Sequence, residues 1–114
     1  MKSFAQTIDL LKNPKLIEKY EEYHRNVWPE VMNGLKVIGI ERMEIFRIGN
    51  HLFMYCSAND DFDPNADFQK YTETHPKADE WNDLMSNFQA KIPEAEIGDW
   101  WAPMKLVFDS EWFE

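Results

Sequence analysis

The sequence predicts an α+β protein of the ferredoxin-like type, with strands and helices in the order βαββαβ. Two strand-like runs at its centre, Ile40–Ile48 and His51–Ala58, are separated by Gly49-Asn50, a two-residue hairpin signal. Helical patterns lie on both sides of this hairpin, and two further strand-like runs lie near the ends of the chain, at residues 2–10 and 104–108. This order builds a four-stranded antiparallel sheet with helices on one face.

The first half of the chain predicts one strand and two helices. Apolar residues alternate imperfectly over the opening run, which favours a strand. Asn13-Pro14 supplies a cap and a first-turn proline for a helix over 14–26. Pro29 lacks a backbone N–H and disfavours helical angles in Trp28, so we expect a kink there and a second short helix over 29–37.

The second half predicts a long helical region and the final strand. Residues 59–65 are acidic and rich in turn formers, which indicates a solvated loop. A helix is predicted over 66–91, with a break at His75-Pro76. A linker over 92–99 then leads through Trp100-Trp101 into the final strand.

Composition indicates a single domain over residues 1–114. Apolar residues make up 44% of the chain, which is enough for a core. Aromatic residues make up 15%, more than a small core needs, and such a surplus favours a subunit interface or a flat ligand. The sheet face without helices also needs cover, from another subunit or from a ligand, and Trp112 and Phe113 in the tail would be poorly placed in water.

The net charge and the single cysteine indicate which binding partners are excluded and which cellular compartment is expected. A net charge of −9 argues against nucleic acid, which needs clustered Lys and Arg, and against an anionic membrane surface. No apolar run approaches the about 18 residues of a membrane span, and no signal peptide is recognisable. Cys56 cannot form an internal disulfide. These features predict a cytoplasmic protein.

Tyr20 and His24 are the strongest candidates for chemistry. Both belong to a helical stripe of apolar character, and their i, i+4 spacing stacks them on one face of the helix, toward the protein interior. A histidine with a pKa of about 6.5 can give and accept protons near neutrality, and a phenol can bind the same hydroxylated ligand. The alternative is that both are ordinary packing residues.

The sequence contains no pattern for a metal or a nucleotide. It has no His-x-x-x-His, Cys-x-x-Cys or carboxylate–histidine cluster, and its four glycines are scattered. His51 borders the hairpin turn and His75 precedes the helix break, so both are interpreted as loop or capping residues. Cys56 is interpreted as a small core residue. We expect neither a metal site nor a cofactor.

Three tryptophans are candidates for ligand contact. Trp81 lies on an apolar helical stripe, where core packing and ligand contact are about equally supported. Trp100 and Trp101 are adjacent and point in different directions, which leaves one indole partly exposed. Indole rings stack on the apolar C–H faces of sugars while sugar hydroxyls find polar partners. Whether Trp100 and Trp101 line a pocket is left open by the sequence.

Residues 20–30, Tyr-Glu-Glu-Tyr-His-Arg-Asn-Val-Trp-Pro-Glu, resemble the signature of the L-rhamnose mutarotase family. That signature is a Tyr, three residues, a His, and a Trp-Pro-Glu a few residues later. The resemblance covers nearly the whole chain, including Phe4-Ala5-Gln6, the helix end at 35–39, the hairpin, and Glu80-Trp81 with Met85.

The resemblance implies a homodimeric α+β barrel of ferredoxin-like subunits that interconverts the α and β anomers of L-rhamnose without a cofactor. It implies that His24 is the proton donor, that Tyr20 binds the sugar, and that Trp81 is the first of a Trp-Trp pair at the sugar site. Asn82 replaces the second tryptophan of that pair, and Met43 stands where a sugar-binding tyrosine is expected. Because this wall has changed, L-fucose or another 6-deoxy sugar is nearly as well supported as L-rhamnose.

Two other functions fit the same scaffold. One is a ligand-binding dimer without chemistry, and the other is a cofactor-free monooxygenase. The monooxygenase predicts a wholly apolar cavity and a bulky aromatic substrate. The mutarotase predicts a pocket with a few polar groups and one or two indoles, and it needs only about 10²–10⁴-fold acceleration from a histidine and a phenol or water.

Overall fold

The computed structural model describes residues 2–113, and for Asn65 it describes the backbone only. Met1 and Glu114, the two ends of the predicted 1–114 domain, lie outside the described residues. The elements in chain order are β1 (Lys2–Leu10), α1 (Pro14–Arg25), α2 (Pro29–Val37), β2 (Ile40–Ile48), β3 (His51–Ala58), α3 (Pro64–Tyr71), α4 (Pro76–Ser86), β4 (Gln89–Ala90), β5 (Ala102–Pro103) and a final 3₁₀ turn, Ser110–Phe113.

The sheet is antiparallel, with strand order β2-β3-β1-β4 and β5 also paired to β1. Alternate residues of β1 and β3 pack against side chains from all four helices, so the helices cover one face of the sheet. This arrangement confirms the predicted α+β, ferredoxin-like fold. The strands β4 and β5 follow one another along the same edge of β1, at Leu10↔Gln89 and Gln6↔Pro103.

Local signals set the bounds of the first two helices. Asn13 accepts hydrogen bonds from the backbone of Lys15 and Leu16 at the start of α1. Trp28 is extended, with φ −63° and ψ 139°, and Pro29 is the first residue of α2. The predicted kink between the two helices is confirmed, and it places the end of α1 beside the start of α2.

The hairpin is confirmed at the predicted residues. Ile48 pairs with His51, and Gly49 takes a positive φ of 58°, where residues with a Cβ are strained. Arg47 donates hydrogen bonds to the carboxylate of Glu21 and to the carbonyl of Gly49, which ties the hairpin to α1.

Two predictions for the second half of the chain are wrong. The helical region predicted over 66–91 begins at Pro64 and ends at Ser86, because Asn87 caps α4 and Gln89–Ala90 pairs with β1 instead. Its predicted break at His75-Pro76 is confirmed, since α3 ends at Tyr71 and α4 begins at Pro76. The strand predicted over 104–108 does not form. Pairing with β1 occurs at Ala102–Pro103 and ends with one further hydrogen bond, from the N–H of Met104 to the carbonyl of Ala5.

Buried side chains fill the space between the sheet and the helices. One cluster joins β1, α1, α2, β3 and α4 through Ile8, Leu10, Tyr20, Val31, Leu52, Trp81, Met85 and Phe88. A second cluster consists of Ile40, Met54, Cys56, Ala58 and Phe62. The pattern predicted for α1 is therefore confirmed, since Tyr20 is buried and faces the interior.

The opposite face of the sheet carries exposed apolar side chains. Phe46 and Phe53 are cross-strand partners with ring centroids 6.1 Å apart, and they are 55% and 37% exposed. Ile48 lies on the same face by strand alternation and is 78% exposed. Among the helices of residues 2–113, none combines the length and the apolar character that a membrane span requires.

Candidate active site

A cavity of about 1040 Å³, partly open to solvent, lies between the helices and the covered face of the sheet. It is at the upper end of the volumes typical of small-molecule sites. All five residues predicted for the site contribute to its lining: Tyr20, His24, Met43, Trp81 and Asn82. Trp100 and Trp101, whose positions the sequence left open, line it as well.

Tyr20 and His24 lie side by side on α1, as their spacing predicts. Their ring centroids are 4.3 Å apart, with an angle of 31° between the planes. Both residues line the cavity and His24 is half-buried, so His24 is neither walled off from the cavity nor fully exposed to bulk solvent. A ligand in the cavity can therefore reach a phenol and an imidazole together.

The hydrogen bond of His24 decides which ring nitrogen remains available to a ligand. Nδ1 lies 2.8 Å from the carbonyl oxygen of Tyr20. A carbonyl oxygen only accepts, so in the neutral ring the hydrogen is on Nδ1 and the lone pair is on Nε2. Burial lowers the pKa of His24 below its usual 6.5, and the bond to the Tyr20 carbonyl opposes this only in part. The neutral form, with a free basic Nε2, therefore predominates near pH 7.

Tyr20 is held by a short chain of side-chain hydrogen bonds. The Nε2 of Gln89 donates to the Tyr20 hydroxyl at 3.3 Å, and the indole N–H of Trp100 donates to the Oε1 of Gln89 at 2.7 Å. Burial raises the pKa of Tyr20 to about 12, although the bond from Gln89 acts in the opposite direction. The phenol therefore stays protonated at physiological pH.

Trp81 both packs in the core and lines the cavity, so the two roles that the sequence supported equally are compatible. Its ring meets His24 edge-on at 5.4 Å and packs against Trp28 at 5.1 Å and Tyr23 at 6.0 Å. These contacts fix the indole at 6% exposure. The cavity therefore has a rigid aromatic wall directly beside the imidazole.

Met43 and Asn82 lie on two different walls of the cavity. Met43 is on β2 and half-buried, while Asn82 is on α4, next to Trp81, and exposed. An amide can donate and accept hydrogen bonds, whereas a thioether offers a flexible apolar contact. The cavity thus combines polar and apolar walls.

The remaining histidines and the cysteine lie away from this chemistry. His51 begins β3 and its Nδ1 is 2.7 Å from the carboxylate of Asp9. His75 caps α4 by accepting the N–H of Lys77, as predicted. Cys56 is fully buried, and burial raises its pKa to about 12, which suits a core residue rather than a nucleophile. Across residues 2–113, no cluster of His, Cys, Asp and Glu side chains could hold a metal ion.

Gln89 is the site residue that the sequence analysis missed. The sequence predicts a helix over 66–91, and a helix there gives no indication that Gln89 lies near Tyr20. The usable signal was Asn87, a residue type that often follows the last turn of a helix, before Phe88, which is buried. A helix ending there would have put Gln89 on a short strand.

The L-rhamnose mutarotase family model matches residues 3–110. The chain belongs to the L-rhamnose mutarotase family. This confirms the resemblance seen in residues 20–30.

Two curated relatives match almost the full chain. A UPF0734 protein of Dictyostelium discoideum is 56% identical over 116 residues, covering 99% of this chain and 93% of the relative. The L-fucose mutarotase of Xanthomonas campestris pv. campestris is 34% identical over 110 residues, covering 95% of this chain and 87% of the relative. Members similar to this chain thus include one named for L-fucose.

Solved structures support the same fold. The L-rhamnose mutarotase FA22100 of Formosa agariphila superposes with a TM-score of 0.69 at 23% identity, covering 96% of this chain and 98% of the other. A dimeric ferredoxin-like protein from an uncultured marine organism gives a TM-score of 0.54 at 15% identity, with coverage of 78% and 79%. At these identities the likeness concerns the fold alone.

Proposed function

We propose that this protein is a mutarotase, an isomerase of the aldose 1-epimerase type, that interconverts the anomers of a 6-deoxyhexose of the L-rhamnose or L-fucose type. The observation that carries the proposal is the family match over residues 3–110. The cavity supports it, because His24, whose Nε2 keeps a lone pair, and Tyr20, which carries a hydroxyl, line the same space. His24 is the proposed general acid and base.

The proposed reaction consists of two balanced proton transfers. In ring opening, Nε2 of His24 accepts the hydrogen of the anomeric hydroxyl, the C1–O5 bond breaks, and the ring oxygen takes a proton from Tyr20 or from water. Rotation about C1–C2 then presents the other face of the aldehyde, and ring closure returns both protons. The depressed pKa of His24 supports the first step, because the imidazole is neutral when the sugar arrives.

The walls of the cavity suit a sugar with one apolar end. Trp81 offers an indole to the C–H face of the ring, and Asn82 offers an amide to a hydroxyl. Met43 is the proposed contact for the C6 methyl group that distinguishes 6-deoxy sugars. The relative named for L-fucose and the family model named for L-rhamnose are the reason to test both sugars.

Saturation-transfer NMR, which measures the exchange between two anomers directly, tests the proposal. The wild type is compared on L-rhamnose, L-fucose and D-glucose, and we expect faster exchange for at least one of the two 6-deoxy sugars. His24→Ala should lower that rate by about 10²-fold or more while sugar binding persists. His51→Ala is the matched control, because His51 is exposed and bonded to Asp9 at the hairpin. We expect it to keep the wild-type rate.

The outcomes separate the competing functions. Sugar binding without any acceleration, or an unchanged rate in His24→Ala, would indicate a binding protein. A cofactor-free monooxygenase is disfavoured because the cavity is bordered by Gln6, Gln89 and Asp99 in addition to the phenol and imidazole. A wholly apolar lining is what that activity would predict.

A homodimer is the second part of the proposal. The uncovered sheet face with Phe46, Ile48 and Phe53 is continuous across β2 and β3. Exposed apolar side chains also follow β5, at Met104, Leu106, Val107, Phe108, Trp112 and Phe113. A second copy packed against this sheet would remove these groups from water, as the dimeric ferredoxin-like neighbour suggests.

Sedimentation equilibrium tests the dimer. We expect a dimeric wild type and a shift toward monomer in Phe46→Glu, because the new carboxylate would have to be buried between two sheets. Val37→Glu is the matched control, since Val37 is as exposed but lies on α2, away from the sheet face. A monomeric wild type, or equal dissociation in both variants, would contradict the proposed interface.

A further inference from the structure

The hydrogen-bond chain from Trp100 to Tyr20 runs in one direction only. An indole N–H donates and never accepts, so the amide atom of Gln89 that faces Trp100 must be its oxygen. The other amide atom, the Nε2 that faces Tyr20, is therefore the NH₂ group, which donates. Trp100 thereby decides the orientation of an amide whose two ends look alike in shape.

Because the chain runs in this direction, the Tyr20 hydroxyl remains able to donate one hydrogen bond. Its oxygen already accepts the N–H of Gln89, so its own hydrogen is available to another acceptor. Tyr20 is 3% exposed and Gln89 is 7% exposed, so bulk water does not compete with the hydrogen bond between these two side chains. Tyr20 lines the cavity, where the acceptor would be an oxygen of the ligand.

Hydrogen-bond direction also decides the role of His24, which is left with a free acceptor instead of a free donor. Its Nδ1–H is used by the carbonyl of Tyr20, which leaves a lone pair on Nε2. One cavity wall thus presents a hydrogen-bond donor on Tyr20 next to an acceptor on His24, with ring centroids 4.3 Å apart. Anomer exchange needs one group of each kind, one at the ring oxygen and one at the anomeric hydroxyl.

We propose that Gln89, oriented by Trp100, is a positioning residue that directs the Tyr20 hydroxyl hydrogen to the ring oxygen of the sugar. Its role in catalysis rests on the proposed mutarotase function. In ring opening the C1–O5 electron pair goes to O5, which takes the proton of Tyr20, while Nε2 of His24 takes the proton of the anomeric hydroxyl. The phenolate then keeps the hydrogen bond from Gln89, and ring closure returns each proton to its source.

Gln89→Glu reverses the direction of this chain with little change in size. A carboxylate can still accept the indole N–H of Trp100, but toward Tyr20 it can only accept, so it captures the hydroxyl hydrogen and opposes a phenolate. We expect kcat for anomer exchange to fall by about 10²-fold, as for the loss of one oriented donor, with a smaller change in KM. Asn87→Asp, the same amide-to-carboxylate change at an exposed position two residues away, should retain the wild-type kcat.

A double-mutant cycle separates positioning from a structural role. In Tyr20→Phe the hydroxyl is absent, so adding Gln89→Glu should cause no further loss of kcat. An equal loss from Gln89→Glu with and without the hydroxyl would overturn the proposal, because Gln89 would then act independently of Tyr20. An unchanged kcat in Gln89→Glu would overturn it as well.

The orientation of the amide is tested without activity by ¹H–¹⁵N NMR of the unliganded protein. In Tyr20→Phe we expect one Gln89 side-chain amide hydrogen to move upfield, while the indole hydrogen of Trp100 stays in place. In Gln89→Met the indole hydrogen should move upfield. A Gln89 signal unaffected by Tyr20→Phe would overturn the orientation. If the wild type accelerates no sugar, the proposed function fails, and this measurement alone decides whether the chain runs as stated.

Discussion

Tyr20→Phe separates the contribution of the Tyr20–Gln89 hydrogen bond to stability from its contribution to catalysis. The substitution keeps the ring that packs at 4.3 Å from His24 and removes only the hydroxyl. It leaves the Nε2 hydrogen of Gln89 without an acceptor in a place that is 7% exposed. A buried unpaired amide costs about 1–3 kcal/mol. The 3.3 Å length of this bond, and the position of Gln89 beside a cavity that is partly open to solvent, argue for the lower end, about 1 kcal/mol.

The compensating variant is Tyr20→Phe combined with Gln89→Met. Replacing both partners by apolar groups of similar shape removes the unpaired amide, so the free energy of unfolding should return to within about 0.5 kcal/mol of the wild type. The indole N–H of Trp100 also loses its acceptor, but Trp100 is 39% exposed and can bond to water. Anomer exchange should stay low in this double variant, because the phenol is still missing.

Urea unfolding at pH 7 measures these differences, with an unchanged m-value as the sign that the unfolded state is unaffected. For a chain of this size, about 1 kcal/mol corresponds to roughly 4 °C in Tm. A Tyr20→Phe protein as stable as the wild type would show that the bond contributes nothing. A double variant less stable than Tyr20→Phe would show that Gln89 has another partner, and either result would refute the reasoning.

Two further predictions concern pH and packing. His24 acts when neutral, and its pKa lies below 6.5. The value of kcat/KM should therefore be constant above about pH 6.5 and should decrease in acid, through that lowered pKa. A decrease centred above pH 6.5 would contradict this prediction. The unfolded state takes up this proton first as pH falls, so the wild type should lose stability relative to His24→Asn, which carries no such proton, as pH falls from about 6.5 to the lowered pKa of the folded state. Gly34→Ala would place a Cβ 2.7 Å from Oγ1 of Thr74 and 3.2 Å from Tyr71. We expect the free energy of unfolding, measured in urea, to fall by about 1–3 kcal/mol, even though alanine has the better helix propensity. Thr74→Ala should restore part of it, and a stabilised Gly34→Ala would show that α3 can shift at no cost.

The parts of the fold that were predicted correctly have local causes. A cap and proline at Asn13-Pro14, the second proline at Pro29 and the glycine at Gly49 each act on backbone angles within a few residues. The stripe that places Tyr20 and His24 on one face depends only on helix geometry. These features could be predicted because no distant part of the chain is needed to produce them.

The errors occur where pairing partners are distant in sequence. Residues 104–108 have the composition of a strand, but the edge of β1 is filled by Gln89–Ala90 and Ala102–Pro103, and Leu106, Val107 and Phe108 remain exposed in the single chain. Local composition cannot tell which of several short segments will occupy a given edge. That choice depends on the length of the connection and on the position of α4.

The ferredoxin-like order of elements, the family, and the placement of a phenol beside an imidazole one helical turn later all follow from the order of amino acids. What those two groups can do depends on the folded chain. It buried them in a cavity, which shifts both pKa values, and it brought Gln89 and Trp100 to Tyr20 from 69 and 80 positions along the chain. Burial and hydrogen-bond direction are properties of neighbours in space, so they become definite only when the chain has folded.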